Sequence, residues 1–300
     1  MTTATESAQL ALGKPSGRRA FTDKAMTALA YLAGAIAIVP LAWILFSVVQ
    51  LGLPEVLSVA WWTQDLGGTT DRRAGGGALA AIVGTLEIGL ITALVAVPIG
   101  VFGAIFLIEY ARGTRWSRVV SFMVDILSGI PSIVAALFVY ALLITILGTG
   151  RSTVAAALAL VLLMLPVVLR STEEMLKLVP DSLREASYAL GVPKWRTIVS
   201  IVIPTAFSGI ATGIVLGLAR VMGETAPLLI LVAAARNLNL SPLSDTMSTL
   251  PTMINTGRDV AETLPGYGRV WGAAFTLILI VMGLNLLARG IARASRLKER

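Results

Sequence analysis

Six stretches of this 300-residue chain are apolar for long enough to cross a lipid bilayer, and that constrains its fold more than any motif does. The hydrocarbon core of a bilayer is about 30 Å thick and takes roughly 20 mostly apolar residues of helix. The stretches run over about 28–51, 79–108, 119–147, 153–169, 202–235 and 271–290. Lipid offers no partner to a backbone N–H or C=O, so each stretch is expected as a helix. The fold class that follows is an all-α polytopic membrane protein with six transmembrane helices. Composition agrees, because only 14% of residues are charged and 56% are hydrophobic, against about a quarter charged in soluble domains. The first stretch is longer than a signal-peptide core and no small-residue cleavage site follows it, so it is expected to remain as an anchor.

The connections set the orientation. Of the 24 Lys and Arg, seventeen fall in the N-terminal tail, 109–118, 170–200 and the C-terminal end. Six fall in 52–78, at Arg151 and in 236–270, and Arg220 lies inside a span. The positive-inside rule then places both termini and the 170–200 loop in the cytoplasm. Residues 1–27 read as a disordered cytoplasmic tail, 28–290 as the transmembrane domain and 291–300 as a basic cytoplasmic tail. The net charge of +7 is therefore topology rather than a nucleic-acid footprint. The chain has no Cys and no His, which removes thiolate metal sites and the commonest general base and counts against an enzyme.

The inner loop reads STEEMLKLVPDSLREASYALGVPKWRTIVSIVIP. Ser182 and Glu185 have capping-box spacing, so a helix is expected to start at Ser182. Leu183, Ala186, Ser187 and Leu190 recur at i, i+3, i+4 and i+7 and share one face. Gly191 is placed to end this helix and Pro193 to prevent its continuation. A short amphipathic helix at the inner membrane surface, or in a partner's groove, is expected.

The stretch EASYALGVPKWRTIVSIVIP, with Glu185, Ala186, Gly191, Trp195 and Pro204, resembles the EAA loop of ABC-transporter permeases. Ser187 stands where that loop has its second alanine. The resemblance implies that residues 182–190 dock in a cleft of a cytoplasmic ATPase and transmit its closure. It makes Leu183, Glu185, Ala186, Leu190, Gly191 and Trp195 the coupling candidates. The chain has no Gly-x-x-x-x-Gly-Lys-Ser/Thr phosphate loop of its own, so ATP and Mg are expected at the partner. GETAPLL at 223–229, LPVVLRSTEEMLKLVPDSLREASYALG at 165–191 and GIPSIVAALF at 129–138 are similar to the A-type permeases of bacterial phosphate-specific transporters. Ala136 departs from the glycine more usual there. The likeness runs from about 75 to 235. It implies a type I ABC-importer permease fold with a cytoplasmic coupling helix. The partners implied are a sibling C-type permease subunit, two cytoplasmic ATPase subunits and an extracytoplasmic phosphate-binding protein.

The fifth stretch carries Gly209, Gly213 and Gly217, a small-xxx-small pattern that lets helices approach closely. At ~100° per residue Gly213, Gly217, Arg220 and Glu224 stay within about 60° of one another, so the glycine stripe and the charged pair are expected to share a face. Counted from Pro204 at ~1.5 Å per residue, Arg220 lies about halfway across. A guanidinium facing lipid there costs ~2.5 kcal/mol or more, so the face is expected to look into protein or water. Glu224, or Glu87 on the second span, is expected to pair with Arg220. A guanidinium fork fits two oxygens of a phosphate. The resemblance favours that role over an ion pair that only fixes helix register, and the motif retains the arginine.

On the third span, Ser128 and Ser132 flank a break at Gly129 and Pro131. That break either aims free amides at an anion or merely kinks a helix whose hydroxyls bond their own carbonyls. Asp125 is expected to pair with a surface cation such as Arg118, and Glu109 to be solvated. The outer loop 236–270 is polar and near neutral, with three Arg against Asp245, Asp259 and Glu262, which suits docking of another protein. Together these observations point to a permease subunit for inorganic phosphate. The alternatives are another oxyanion (sulfate, molybdate or phosphonate class), an intramembrane enzyme without His or Cys, and a passive channel.

Overall fold

The computed structural model describes residues 17–241, 243 and 246–297, and the chain divides into two compact units, residues 1–50 and 51–300. The first unit is most of helix α1 (Gly17–Val56), whose side chains are exposed almost throughout. This helix begins well before residue 28, so residues 17–27 are helical rather than a disordered tail; residues 1–16 lie outside the described residues.

The second unit holds α2 (Val59–Thr63), α3 (Leu79–Ile105, extended by a π-helical turn at Phe106–Tyr110), α4 (Arg115–Ser128) and α5 (Ser132–Val139, with a π-helical end at Tyr140–Ile146). Then come α6 (Thr153–Lys177), α7 (Asp181–Ala189), α8 (Lys194–Thr197) and α9 (Ile203–Met222). Short α10 (Ala226–Leu231) precedes β1 (Ala233–Ala234), β2 (Thr246–Met247), α11 (Leu250–Gly257) and α12 (Pro265–Leu297). The two strands pair in parallel over two residues, the sole departure from all-α among the described residues. Helix α12 runs to Leu297, so the described part of the expected C-terminal tail is helical.

Among the described residues five helices are long and apolar enough to cross a membrane, and a sixth crossing exists if the bent pair α4–α5 counts as one. That pair turns by 105° at Gly129–Pro131, so the third stretch is a broken segment rather than a straight span. The fourth helix is longer than expected and carries Arg170 and Lys177 beyond its apolar part. The fifth is shifted. A π-helical turn at Ile198–Val202 joins α8 to α9, so the helix starts at Lys194 and passes Pro204. A proline in a helix leaves a carbonyl without its amide partner, and a widened turn just before it relieves the clash.

Helix α6 is the axis of this unit. Ala156, Leu160, Met164 and Val168 are wholly buried, among Ile88 and Ala96 of α3, Ala136 and Val139 of α5, and Leu228 and Leu231 of α10. At one end, Trp61 is fully buried beside Ala78, Leu250 and Ala273, and its indole N–H donates to Thr276 Oγ1 at 2.9 Å. At the other end, Ala104, Leu107, Leu169, Leu176 and Ile198 form a separate cluster under α7.

Candidate substrate pathway and coupling surface

Helix α9 meets α6 through its glycines. A Cβ on Gly213 would lie 2.5 Å from the Ser171 Cβ, and one on Gly209 would lie 2.5 Å from Met175 Cγ. At Gly217 the nearest side chains, Met164, Val167 and Val168, sit at an ordinary 3.5 Å. Close helix approach thus depends on the first two positions more than on the third.

Arg220 does not join the packed face. It is exposed, on the last turn of α9, in line with exposed Leu216 and Thr212 at steps of four. The cation stands at the negative end of its helix dipole. The expected partner Glu224 is not one turn further along the same helix, because α9 ends at Met222. The chain bends through Gly223–Thr225, where the amides of Gly223 and Glu224 reach back only three residues, to Arg220 and Val221. Pro227, in the first turn of α10, prevents the helix from continuing.

Glu87 is also unavailable to Arg220, for a geometric reason. Helix α3 approaches α9 at Gly89, where an added Cβ would lie 3.3 Å from Met222 Cγ and 3.5 Å from Leu218 Cδ1. Those two residues flank Arg220 by two positions, about 160° around the helix, so Arg220 points away from α3. Among the described residues Arg220 has no ion pair with either carboxylate. Glu87 is half-buried, and its Oε2 is buried with no hydrogen-bond partner.

At the α4–α5 break, Ser128 Oγ donates to the Asp125 carbonyl at 2.7 Å, and the Gly129 and Ile130 amides donate to Ile126 and Leu127. The hydroxyl of Ser128 therefore serves its own helix. Ser132 opens α5 and is half-buried, with no side-chain hydrogen bond among the described residues. Asp125 pairs with Arg170 rather than Arg118. Arg170 also donates to Glu173 at 2.6 Å and to the Ser121 carbonyl at 2.9 Å, and Lys177 reaches Glu173 at 2.8 Å.

The inner loop departs most from the periodic reading. Helix α7 starts at Asp181 with Pro180 as its N-cap, so Ser182 and Glu185 make no capping box. Its end is as expected. Gly191 has φ +75°, and the amides of Gly191 and Val192 bond the carbonyls of Tyr188 and Ser187, a Schellman closure. Ser187 lies at the covered edge of the leucine face: it is buried and hydrogen-bonds Thr197 at 2.8 Å. Leu183, Glu185, Ala186, Leu190 and Trp195 are all exposed, Leu190 by 83%.

Arg184 and Glu109, which the sequence did not single out as a pair, are both buried, and Arg184 Nη2 lies 2.8 Å from Glu109 Oε1. Glu109 is therefore not solvated. The available signal was an arginine one turn from Ser187 on a helix whose apolar residues have no core to face.

On the opposite end of the unit, a cavity of about 210 Å³ is lined by Asp71, Arg236, Ser248, Thr252, Thr256 and Arg269, among others. Arg269 is buried and donates to the Gly75 and Thr70 carbonyls at 3.1 and 2.8 Å; Arg236 donates to the Thr69 carbonyl at 2.6 Å. The two arginines tie the loop at 64–78 to the segments around 236 and 269. The 236–270 connection is more ordered than a polar loop, since α11 carries a capping box of Thr249 and Thr252. Asp245 lies outside the described residues.

Residues 96–298 match the family of binding-protein-dependent transport system inner membrane components. The chain belongs to this family. It is 50% identical over 271 residues to the phosphate transport system permease protein PstA 1 of Mycobacterium tuberculosis (strain H37Rv), covering 90% of this chain and 87% of that one. It is 40% identical over 251 residues to the phosphate transport system permease protein PstA of Yersinia pestis, covering 84% and 83%. Among solved structures, a bacterial alginate ABC transporter superposes with a TM-score of 0.64 at 14% identity, over 94% of this chain and 98% of that one. A methionine ABC transporter in an inward-facing conformation superposes with a TM-score of 0.56 at 20% identity, over 71% and 91%. Such likeness establishes the type I ABC-importer permease fold. An inner-membrane, multi-pass setting follows from family and helices together.

Proposed function

We propose that this chain is the permease subunit of an ATP-driven importer of inorganic phosphate and forms half of its translocation pathway. The observation that carries the reading is the outward face of α7. Leu183, Ala186 and Leu190 are exposed on a helix pinned from behind by buried polar bonds, as a docking surface for another protein requires. The substrate follows from the phosphate transport permeases to which the chain is up to half identical. Two cytoplasmic ATPase subunits bind ATP and Mg and seat α7; this chain holds no cofactor. Both termini lie in the cytoplasm by the positive-inside rule.

Arg220 is exposed on an apolar helix, and a guanidinium turned to lipid near the midplane costs ~2.5–3.5 kcal/mol. A sibling C-type permease subunit closes that face, and Arg220 meets the anion in the seam between the two, with Glu224, Glu87, Ser128 and Ser132 along the same pathway. An extracytoplasmic phosphate-binding protein delivers the anion to the outer loops.

Uptake of labelled phosphate by a strain lacking its own permease, complemented with this chain and its partner subunits, tests the reading. Excess sulfate or molybdate leaves uptake unchanged if phosphate is the substrate, and either one competing effectively reassigns the anion. Arg220→Lys keeps the charge but loses the fork, and uptake is expected to fall roughly tenfold to a hundredfold, the equivalent of one charge-assisted hydrogen bond. Wild-type rates in that variant refute the bidentate role.

A further inference from the structure

We infer that Glu109 and Arg184 are positioning residues that make movement of α7 into movement of the membrane helices, so that ATP turnover is converted into transport. The inference rests on the proposed function and adds to it where the force goes.

One guanidinium clasps three segments. Arg184 Nε and Nη2 donate to Glu109 Oε1 at 3.1 and 2.8 Å, at the inner end of α3. Nη2 also donates to the Leu176 carbonyl at 3.0 Å and Nη1 to the Val179 carbonyl at 2.6 Å, at the end of α6. Nη1 reaches Asp181 Oδ1 at 3.1 Å, on the first turn of α7 itself. The last carbonyls of a helix lack their usual amide partners, so Arg184 adds its donors to the Leu176 carbonyl, which otherwise accepts short-range amides such as Val179 N–H at 3.4 Å, and to the Val179 carbonyl just beyond α6. Glu109 is a second junction. Its own carbonyl accepts from Lys194 Nζ, which also sits over the Tyr110 ring at 4.9 Å. Lys194 opens the helix that continues through α8 into α9, where Arg220 lies. Ser187 and Thr197 add a second tie between α7 and α8.

Helix α7 is therefore fastened by its polar side while its apolar side faces outward. Removing two charges from water costs more than an ion pair usually returns, so a buried pair is a poor device for stability and a good one for register. Greasy contacts at this junction would let α7 slide. Directed bonds from a planar guanidinium and two hydroxyls allow it to move only with α3, α6 and α9. The side-chain exposures, 10% for Arg184 and 5% for Glu109, leave the pair almost no water to exchange with.

The test uses the assembled complex of this chain, its sibling permease and the ATPase, reconstituted in vesicles with the binding protein. Phosphate taken up and ATP hydrolysed are measured in the same vesicles. In Glu109→Gln the ratio of uptake to hydrolysis is expected to fall about tenfold, the size of a typical coupling between two sites. A variant that merely loses folded protein lowers both quantities together and leaves the ratio at its wild-type value, which overturns the inference. If Glu109→Gln does not assemble, Lys194→Met and Ser187→Ala each remove one tie and spare the ion pair. A lowered ratio in either supports the inference, and an unchanged ratio in both overturns it. Wild-type vesicles that hydrolyse ATP without taking up phosphate sink the substrate reading instead, and α7 positioning is then read from the uptake of whichever oxyanion the wild type does transport.

Discussion

The three glycines of α9 look equivalent in the sequence, and the structure predicts that they are not. At Gly213 an added methyl overlaps the Ser171 side chain, with the two Cβ atoms 2.5 Å apart, where real ones are essentially never under 3.0 Å. Ser171 cannot swing aside freely, because its hydroxyl donates to the Val168 carbonyl at 3.1 Å. Overpacking of this kind costs ~1–3 kcal/mol, partly offset by the ~0.5–1 kcal/mol that alanine gains over glycine within a helix. Gly213→Ala is thus expected to destabilise by about 0.5–2 kcal/mol. At Gly217 the methyl meets Met164, Val167 and Val168 at 3.5 Å, ordinary contact. Gly217→Ala is expected to gain the helix term, ~0.5–1 kcal/mol, without the overlap. At ~2–4 °C per kcal/mol for a chain of this size, the two variants should differ in midpoint by roughly 2–12 °C, with opposite signs. Gly209→Ala should fall between, since the opposing Met175 is flexible. The assay is the heat-induced loss of the monodisperse peak of the detergent-purified complex. Shifts in the same direction for Gly213→Ala and Gly217→Ala would refute the reasoning, because a generic small-residue stripe would not discriminate between them.

Two further outcomes follow from other surfaces. Leu190→Asp places a charge on a side chain that is 83% exposed and packs on nothing within this chain. Yield and midpoint should stay at wild type, surface changes costing within ~0.5 kcal/mol, while co-purification of the ATPase is lost; retained ATPase places the docking face elsewhere. Arg269→Met removes the donors to the Thr70 and Gly75 carbonyls. Amide exchange across 64–78 should speed up roughly tenfold or more, given ~1–3 kcal/mol for hydrogen bonds to a charged group. Unchanged exchange would mean the loop is held by its other contacts.

Hydropathy alone located the membrane-spanning helices, because length and apolarity survive any rotation or break. The sequence marked the break at Gly129 and Pro131 but not the end of α9 before Glu224, and each has a local cause. Gly129-Ile130-Pro131 turns the third segment by 105°, and Gly223 with Pro227 ends α9 at Met222. Both punctuation sets stood in the sequence. In an apolar run, however, a proline is as compatible with a kinked span as with a sharp turn, as Pro98 in α3 and Pro166 in α6 demonstrate. Arg220 and Glu224 were assigned one face by a helical step that holds only while the helix does. The identity of the arginine was legible, whereas its rotation and partner depended on the end of the helix at Met222.

In α7 the periodic pattern located the outward face, Leu183, Ala186 and Leu190, but not the buried one. An amphipathic pattern tells which residues share a face, and the usual next step assigns the apolar face to the core. That step assumes that water lies on the other side. In α7 the apolar residues Leu183 and Leu190 are exposed, while the buried positions are Arg184 and Ser187. Around the helix Ser187 lies about 40° and Arg184 about 100° from Leu183, so the buried pair forms the edge that adjoins the leucine stripe, and the bundle takes that edge. The bundle accepted the polar side because it offered matched polar groups there: the Glu109 carboxylate, the Leu176 and Val179 carbonyls and the Thr197 hydroxyl. An apolar side chain in place of Arg184 would take these donors from the buried Glu109 carboxylate and the Val179 carbonyl, at ~1–3 kcal/mol each. Helix α9 divides the other way, with the glycines facing α6 and the cation facing outward.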